Sequence, residues 1–80
     1  MFIHLGGDTA VRAKDIVGIF DMRGKADSAN EAFLGRAAEG GRIVTVEAGP
    51  YKSFVVTVDQ IYYSPISSAT LKRRARQTGV

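Results

Sequence analysis

Along the 80 residues the apolar positions switch between a two-residue and a near-four-residue period, and the switches mark the elements. Phe54, Val56 and Val58 alternate with Ser53, Val55 and Thr57, which predicts a strand. With Asp59 and Gln60 as a two-residue turn, Val58 faces Ile61, Val56 faces Tyr63 and Phe54 faces Pro65. Phe54, Val56, Val58, Ile61 and Tyr63 then share one face of a hairpin. Gln60 suits a tight turn poorly, so a longer loop stays open as an alternative. After Tyr62 and Tyr63, the Ser64-Pro65 turn leads to Ser67, an N-cap for a helix from Ser68 to about Arg76. Leu71 and Ala75 form its narrow apolar edge, and Gln77 to Val80 are expected to fray.

Upstream, Phe2 to Leu5 is a short strand that stops at Gly6-Gly7-Asp8, a cluster able to supply the positive φ of a tight turn. Thr9 to Met22 continues as one bent strand or two short ones. Ile16, Val17, Ile19 and Phe20 make it apolar on both faces, so it needs cover on each side. Met22 to Asp27 turns polar and reads as a loop. Ser28 to Gly40 is the central helix, opened by the Ser28/Glu31 capping box and closed by Gly40-Gly41. Ala29, Phe33 and Ala37, with Leu34 and Ala38 one step round, form its core-facing stripe. Arg42 to Glu47 is a further strand, joined to Ser53–Val58 by a Gly-Pro turn that carries Tyr51 and Lys52 at an exposed tip. These elements predict an α+β fold: a small antiparallel sheet of about five to six strands, one central helix and a short C-terminal basic helix. Residues 1–80 are expected to form a single domain.

Length then changes the picture. A chain this short buries only about 60% of the surface its unfolded form exposes. Without cysteine it has neither disulfides nor thiolate metal sites to help it. One short helix cannot cover both faces of two-faced strands, so a neighbouring subunit is expected to bury the rest. No apolar run reaches the roughly 18 residues of a membrane span, and the amino end lacks a signal-peptide pattern, so a soluble, cytoplasmic protein is expected.

Charge adds a direction. Lys72, Arg73, Arg74 and Arg76 have no acid near them from Gln60 onward, while residues 1–59 hold seven bases and eight acids. All of the excess positive charge therefore lies in the tail, which suits a polyanion or an acidic protein surface. Arg74 and Arg76 would also complement the dipole of their own helix, a purely structural use. Tyr51 beside Lys52 could stack on a base and pair with a phosphate, or be a solvated hairpin tip. His4 is the only histidine and no partner pattern surrounds it; a half-buried strand residue is expected. The acids are scattered over turns, strand ends and the helix surface, with no paired carboxylates, dyad or cofactor loop. Neither an enzyme, a bound cofactor, a metal nor a small-molecule substrate is expected.

Three segments resemble the bacterial RemA/RemB family of extracellular matrix (biofilm) regulators: FIHLGGDTAVRAKDIVGIFD, SANEAFLGRAAEGGRIVTVEAG and SFVVTVDQIYYSPISSATLKRRA. The opening HLGG and the closing YYSPISSATLKRR are more similar to the RemB branch. The resemblance spans nearly the whole chain. It implies a small cytoplasmic α+β domain without cofactor, ring-like homo-oligomers and, for the RemA branch, binding of double-stranded DNA as a transcriptional activator. It also directs attention to the loop before the SFVV strand, where this chain has Lys52, and to the stretch ahead of the IVGI strand. There Arg12 and Lys14 are close to the matching position, which is Asp15 here. The DNA-contacting residues expected are thus Lys52, Arg12, Lys14, Lys72, Arg73, Arg74 and Arg76. The alternative is an oligomeric interaction or scaffold module of the same fold that binds no DNA.

Overall fold

The computed structural model describes residues 1–26 and 28–78; the side chains of 25, 26, 28, 77 and 78 lie outside the description, and with them the Ser28 half of the capping box and the end expected to fray. Six strands and two helices are found among the described residues, confirming the α+β class. In chain order they are β1 (Phe2–Gly6), β2 (Thr9–Arg12), a 3-10 turn (Ala13–Asp15), β3 (Ile16–Asp21) and a second 3-10 turn (Met22–Ala26). Then come α1 (Ser28–Glu39), β4 (Ile43–Thr45), β5 (Ser53–Thr57), β6 (Ile61–Ser64) and α2 (Ser68–Thr78).

The strands form two sheets where one was expected. β1 and β2 make an antiparallel hairpin, and the remaining four order as β3-β5-β6-β4. Gly6 and Gly7 take φ of 122° and 50° at the hairpin turn, a conformation that costs glycine little. β4 does not form a hairpin with β5. It pairs parallel to β6, Ile43 opposite Ile61 and Thr45 opposite Tyr63, so residues 46–52 cross over instead of turning back. The β5–β6 hairpin is shorter than the two-residue-turn register: Val56 lies opposite Ile61 and Phe54 opposite Tyr63. Thr57 holds the loop, its backbone N–H and its hydroxyl both donating to the Gln60 carbonyl at 2.9 and 2.8 Å. The shift is by two residues, so every side chain keeps its face.

Alternation sorts the sheet into two cores. The cross-strand row Ile19–Val55–Tyr62 faces one way and Phe20–Phe54–Tyr63 the other. On the first side Ile19, Val46 and Val55 pack with Ile3, Leu5 and Val11 from the β1–β2 hairpin and with Leu71 from α2. On the second, Phe54 and Ile61 pack with Leu34 and Ala37 of α1. The cover expected from a neighbouring subunit on the side away from α1 is thus supplied by the chain itself, through the hairpin and α2.

α1 is rotated from its expected stripe. Leu34 and Ala37 are buried, whereas Phe33 is 41% exposed and Ala29 and Ala38 face solvent. Asn30 donates from Nδ2 to the Gly24 carbonyl at 2.8 Å, which turns the Asn30–Leu34–Ala37 edge inward. The helix ends as expected: Gly41 at φ 69° lets the Arg42 N–H reach the Ala37 carbonyl at 2.9 Å. At the start of α2, Ser67 Oγ accepts from the Thr70 N–H at 3.2 Å, the anticipated N-cap. Two buried serines tie the layers. Ser53 Oγ donates to the Ile66 carbonyl at 2.7 Å, and Ser64 Oγ to the Leu5 carbonyl at 2.6 Å. Among the described residues no buried side-chain polar atom lacks a partner. His4, expected half-buried, is exposed on the outer side of β1.

Candidate nucleic-acid interface

The anticipated contact residues lie largely along β3. Lys14 sits in the 3-10 turn just before the strand, and Arg12 ends β2 beside it. The turn brings Arg12 Nε to Asp15 Oδ2 at 2.9 Å, while Lys14 stays exposed. Flanking the middle of the strand, Lys72 and Arg76 border a groove of about 400 Å³ floored by Ile16, Gly18, Ile19 and Ala75.

Helix geometry divides the basic cluster of α2. With Leu71 fixed in the core, successive residues step by about 100° round the axis, so Lys72 and Arg76 fall on one flank, Arg73 outermost and Arg74 on the opposite flank. Arg74 accordingly turns toward the hairpin, its Nη1 donating to the His4 carbonyl at 3.1 Å. Four cations close together in the sequence are therefore not one patch in space. Lys72 and Arg76 belong to the β3 band, Arg73 faces solvent, and Arg74 holds β1.

At the far end of β3, Asp21, Met22, Arg23, Tyr51, Lys52 and Ser67 enclose a shallow concavity of about 420 Å³. Lys52 is held on both sides of its backbone: its N–H donates to the Ser64 carbonyl at 2.8 Å, and its carbonyl accepts from the Met22 N–H at 2.9 Å. The exposed Lys52 side chain thus projects from a fixed point. Tyr51 is not the free tip expected. Its hydroxyl donates to the Glu47 carbonyl at 2.8 Å and its ring tilts against Tyr63 at 5.8 Å, leaving it half-buried. It stiffens the crossover loop and has little face left to stack on a base.

Arg23 was not among the expected contacts. It lies in the polar segment read as a loop, and the signal that could have found it is an acid two residues before it. Its Nε and Nη2 donate to Asp21 Oδ1 and Oδ2 at 3.1 and 2.9 Å, and its backbone N–H donates to Oδ1 at 2.8 Å. These hydrogen bonds, with a smaller contribution from the nearby Lys72 charge, lower the Asp21 carboxyl from 3.8 to about 2. A depressed carboxyl favours the folded state above its ordinary titration range, and the effect disappears as pH falls through about 2. The pair is exposed, so salt screens it and its contribution is small. In a carboxyl-carbon NMR titration Asp21 should titrate near pH 2, and Arg23→Ala should return it to the ordinary carboxylate range. An unmoved midpoint in the variant would mean Arg23 does not control Asp21.

Arg12, Lys14, Arg23, Lys52, Lys72 and Arg76 are thus distributed along this strand, and among the described residues Arg12 pairs with Asp15 and Arg23 with Asp21. Six strand residues span roughly 20 Å, the axial rise of about six base pairs of duplex DNA. A row of cations of this length matches the charge of a phosphate backbone. Among the described residues no cluster of acids and histidine could hold a metal, and no helix is long and apolar enough to cross a membrane.

Comparison with known proteins bears on the whole chain. The family described as "RemA-like: Extracellular matrix regulatory protein A-like" matches residues 2–75. The chain is also similar to "Extracellular matrix regulatory protein B" of Bacillus subtilis (strain 168), at 49% identity over 76 residues that cover 95% of this chain and 91% of that protein.

Proposed function

Because the chain belongs to the RemA-like family of extracellular matrix regulatory proteins, we propose that it is a cytoplasmic, oligomeric DNA-binding regulator of extracellular matrix (biofilm) gene transcription. The band of cations along β3 supports this reading. Each chain offers few phosphate contacts, so affinity comes from repeating weak sites round an assembly. Recognition then rests on backbone contacts and DNA curvature more than on base edges.

Fluorescence anisotropy of a labelled duplex, titrated at low and moderate salt, tests it. The logarithm of the affinity is expected to fall with the logarithm of salt by about 0.9 per phosphate contacted. Lys52→Glu should weaken binding by at least about tenfold and flatten that slope by about one for each chain engaged, with the assembly intact. An unchanged affinity would remove the crossover loop as a contact. No binding at low salt would favour the second reading, a scaffold or interaction module. The contacts of Arg12 with Asp15, Arg23 with Asp21 and Arg74 with His4 give that reading its support, since each provides an arginine with a structural use.

A further inference from the structure

The four-stranded sheet ends on β3 at one edge and on β4 at the other. β4 has three residues, the kind of short edge that offers little to pair with, whereas β3 has six. The Met22 N–H donates to the Lys52 carbonyl. In an antiparallel ladder every second residue bonds to the same neighbour, so Phe20 and Gly18 also bond inward to β5. The N–H and carbonyl of Ile19 and Asp21 therefore point away from the sheet. Among the described residues neither backbone finds a partner on that side. From Gly18 to Asp21 there is no Lys or Pro to blunt the edge.

Beside this edge runs the groove bordered by Lys72 and Arg76. Both side chains are exposed, and neither makes an ion pair among the described residues. One helical turn apart, they repeat at about 6 Å, close to the roughly 6.6 Å between alternate residues of a strand. On the opposite face Phe20, stacked on Phe54, keeps 42% of its surface exposed. We infer that this edge takes an extended acidic peptide of another protein as an added strand. Carboxylates at alternate positions of the peptide meet Lys72 and Arg76, and the apolar side chains between them lie against Phe20. Charge and hydrogen bonding together select that occupant. A second copy offering its own β3 would set its Lys72 and Arg76 against these two, with its Asp21 already held by Arg23. A phosphate backbone has no N–H to give the outward carbonyls. Lys72 and Arg76 also belong to the band proposed for DNA, so peptide and duplex exclude one another. That consequence rests on the DNA-binding reading; the peptide site does not.

The probe is a fluorescein-labelled peptide of alternating glutamate and valine, titrated into the full chain by anisotropy. It should bind, and at saturation NMR should show exchange of the Ile19 and Asp21 amides slowed by about tenfold or more. The Phe20 amide, already bonded to β5, should change little. The same peptide with its amide nitrogens methylated keeps its charge, loses its strand donors and should not bind. Lys72→Glu with Arg76→Glu, at exposed positions, should weaken binding by at least about tenfold, with circular dichroism unchanged. No binding of the parent peptide, equal binding of the methylated one, or binding that leaves Ile19 and Asp21 exchange unaltered overturns the site. In a mixture the unlabelled peptide should displace a labelled duplex. A chain that takes the peptide but no duplex keeps the site and loses the DNA-binding reading.

Discussion

Phe54→Ala should remove a large part of the protein's stability. Phe54 is 2% exposed and packs on Leu34, Ala37 and Ile61, with its ring stacked on Phe20 at 5.1 Å between centroids. Removing a buried phenylalanine costs about 3–5 kcal/mol, because the neighbours relax only partly into the space. An 80-residue domain has roughly 4–12 kcal/mol to lose, at about 0.05–0.15 kcal/mol per residue. The second core is small, and α1 has little else to hold it: Leu34 and Ala37 are its only buried apolar residues among those described. Urea unfolding followed by circular dichroism should show a greatly lowered midpoint, or a far-UV spectrum already that of an unfolded chain in water. A loss below about 1 kcal/mol would mean that Phe54 does not organise this core.

Leu71→Ala should cost about 2–5 kcal/mol, and its damage should be localised. Leu71 is wholly buried, shares the first core with Ile3 and Leu5 and is, among the described residues, the one buried apolar anchor of α2, supported at its edge by Ala75. The Ser67 cap and the Arg74–His4 hydrogen bond remain in the variant, but each contributes only about 1 kcal/mol. A helix of 11 residues is marginal by itself in water, so once undocked it melts instead of swinging free. Amide exchange in α2 should accelerate by about 30-fold or more, the factor that matches about 2 kcal/mol, while the amides of β5 and β6 keep most of their protection. Lys72 and Arg76 lose their fixed places beside β3, so DNA affinity should fall with the protection of α2. Undiminished protection of α2 would show that its docking depends on contacts other than Leu71.

These two residues also show how far the chain can be read without coordinates. Phe54 and Leu71 are both legible, one from strand alternation and the other from a helix whose remaining surface is polar. Alternation survives a register error of two, so the faces of β5 and β6 come out right although Thr57 and Gln60 close a longer loop. The α1 stripe is less legible because alanines surround it. Ala29, Ala37 and Ala38 permit several inward edges, and a distant hydrogen bond from Asn30 chooses among them. The parallel pairing of β4 with β6 cannot be read locally at all. Adjacent strands pair by default, and only β5 taking its place between β3 and β6 displaces β4 to the far edge. For the interface, the helical step separates Lys72 and Arg76 from Arg74 by arithmetic alone. What arithmetic does not reveal is that Lys52, from a distant segment, lines one concavity with Asp21 and Arg23 at the end of β3.

The hydrogen bond from Ser64 to Leu5 bridges 59 positions of the chain, and that from Arg74 to His4 bridges 70. β1 is therefore completed by a helix made some 70 residues after it. While synthesis proceeds, β3, β5 and β6 can associate, but Ile3, Leu5 and Val11 have no Leu71 to cover them until α2 has been made. Contacts this distant in sequence also slow the final closure, since a long loop must be ordered before it is rewarded. The nascent hairpin, with the unburied Met1 and Phe2 beside it, is then the segment most open to premature association with another chain.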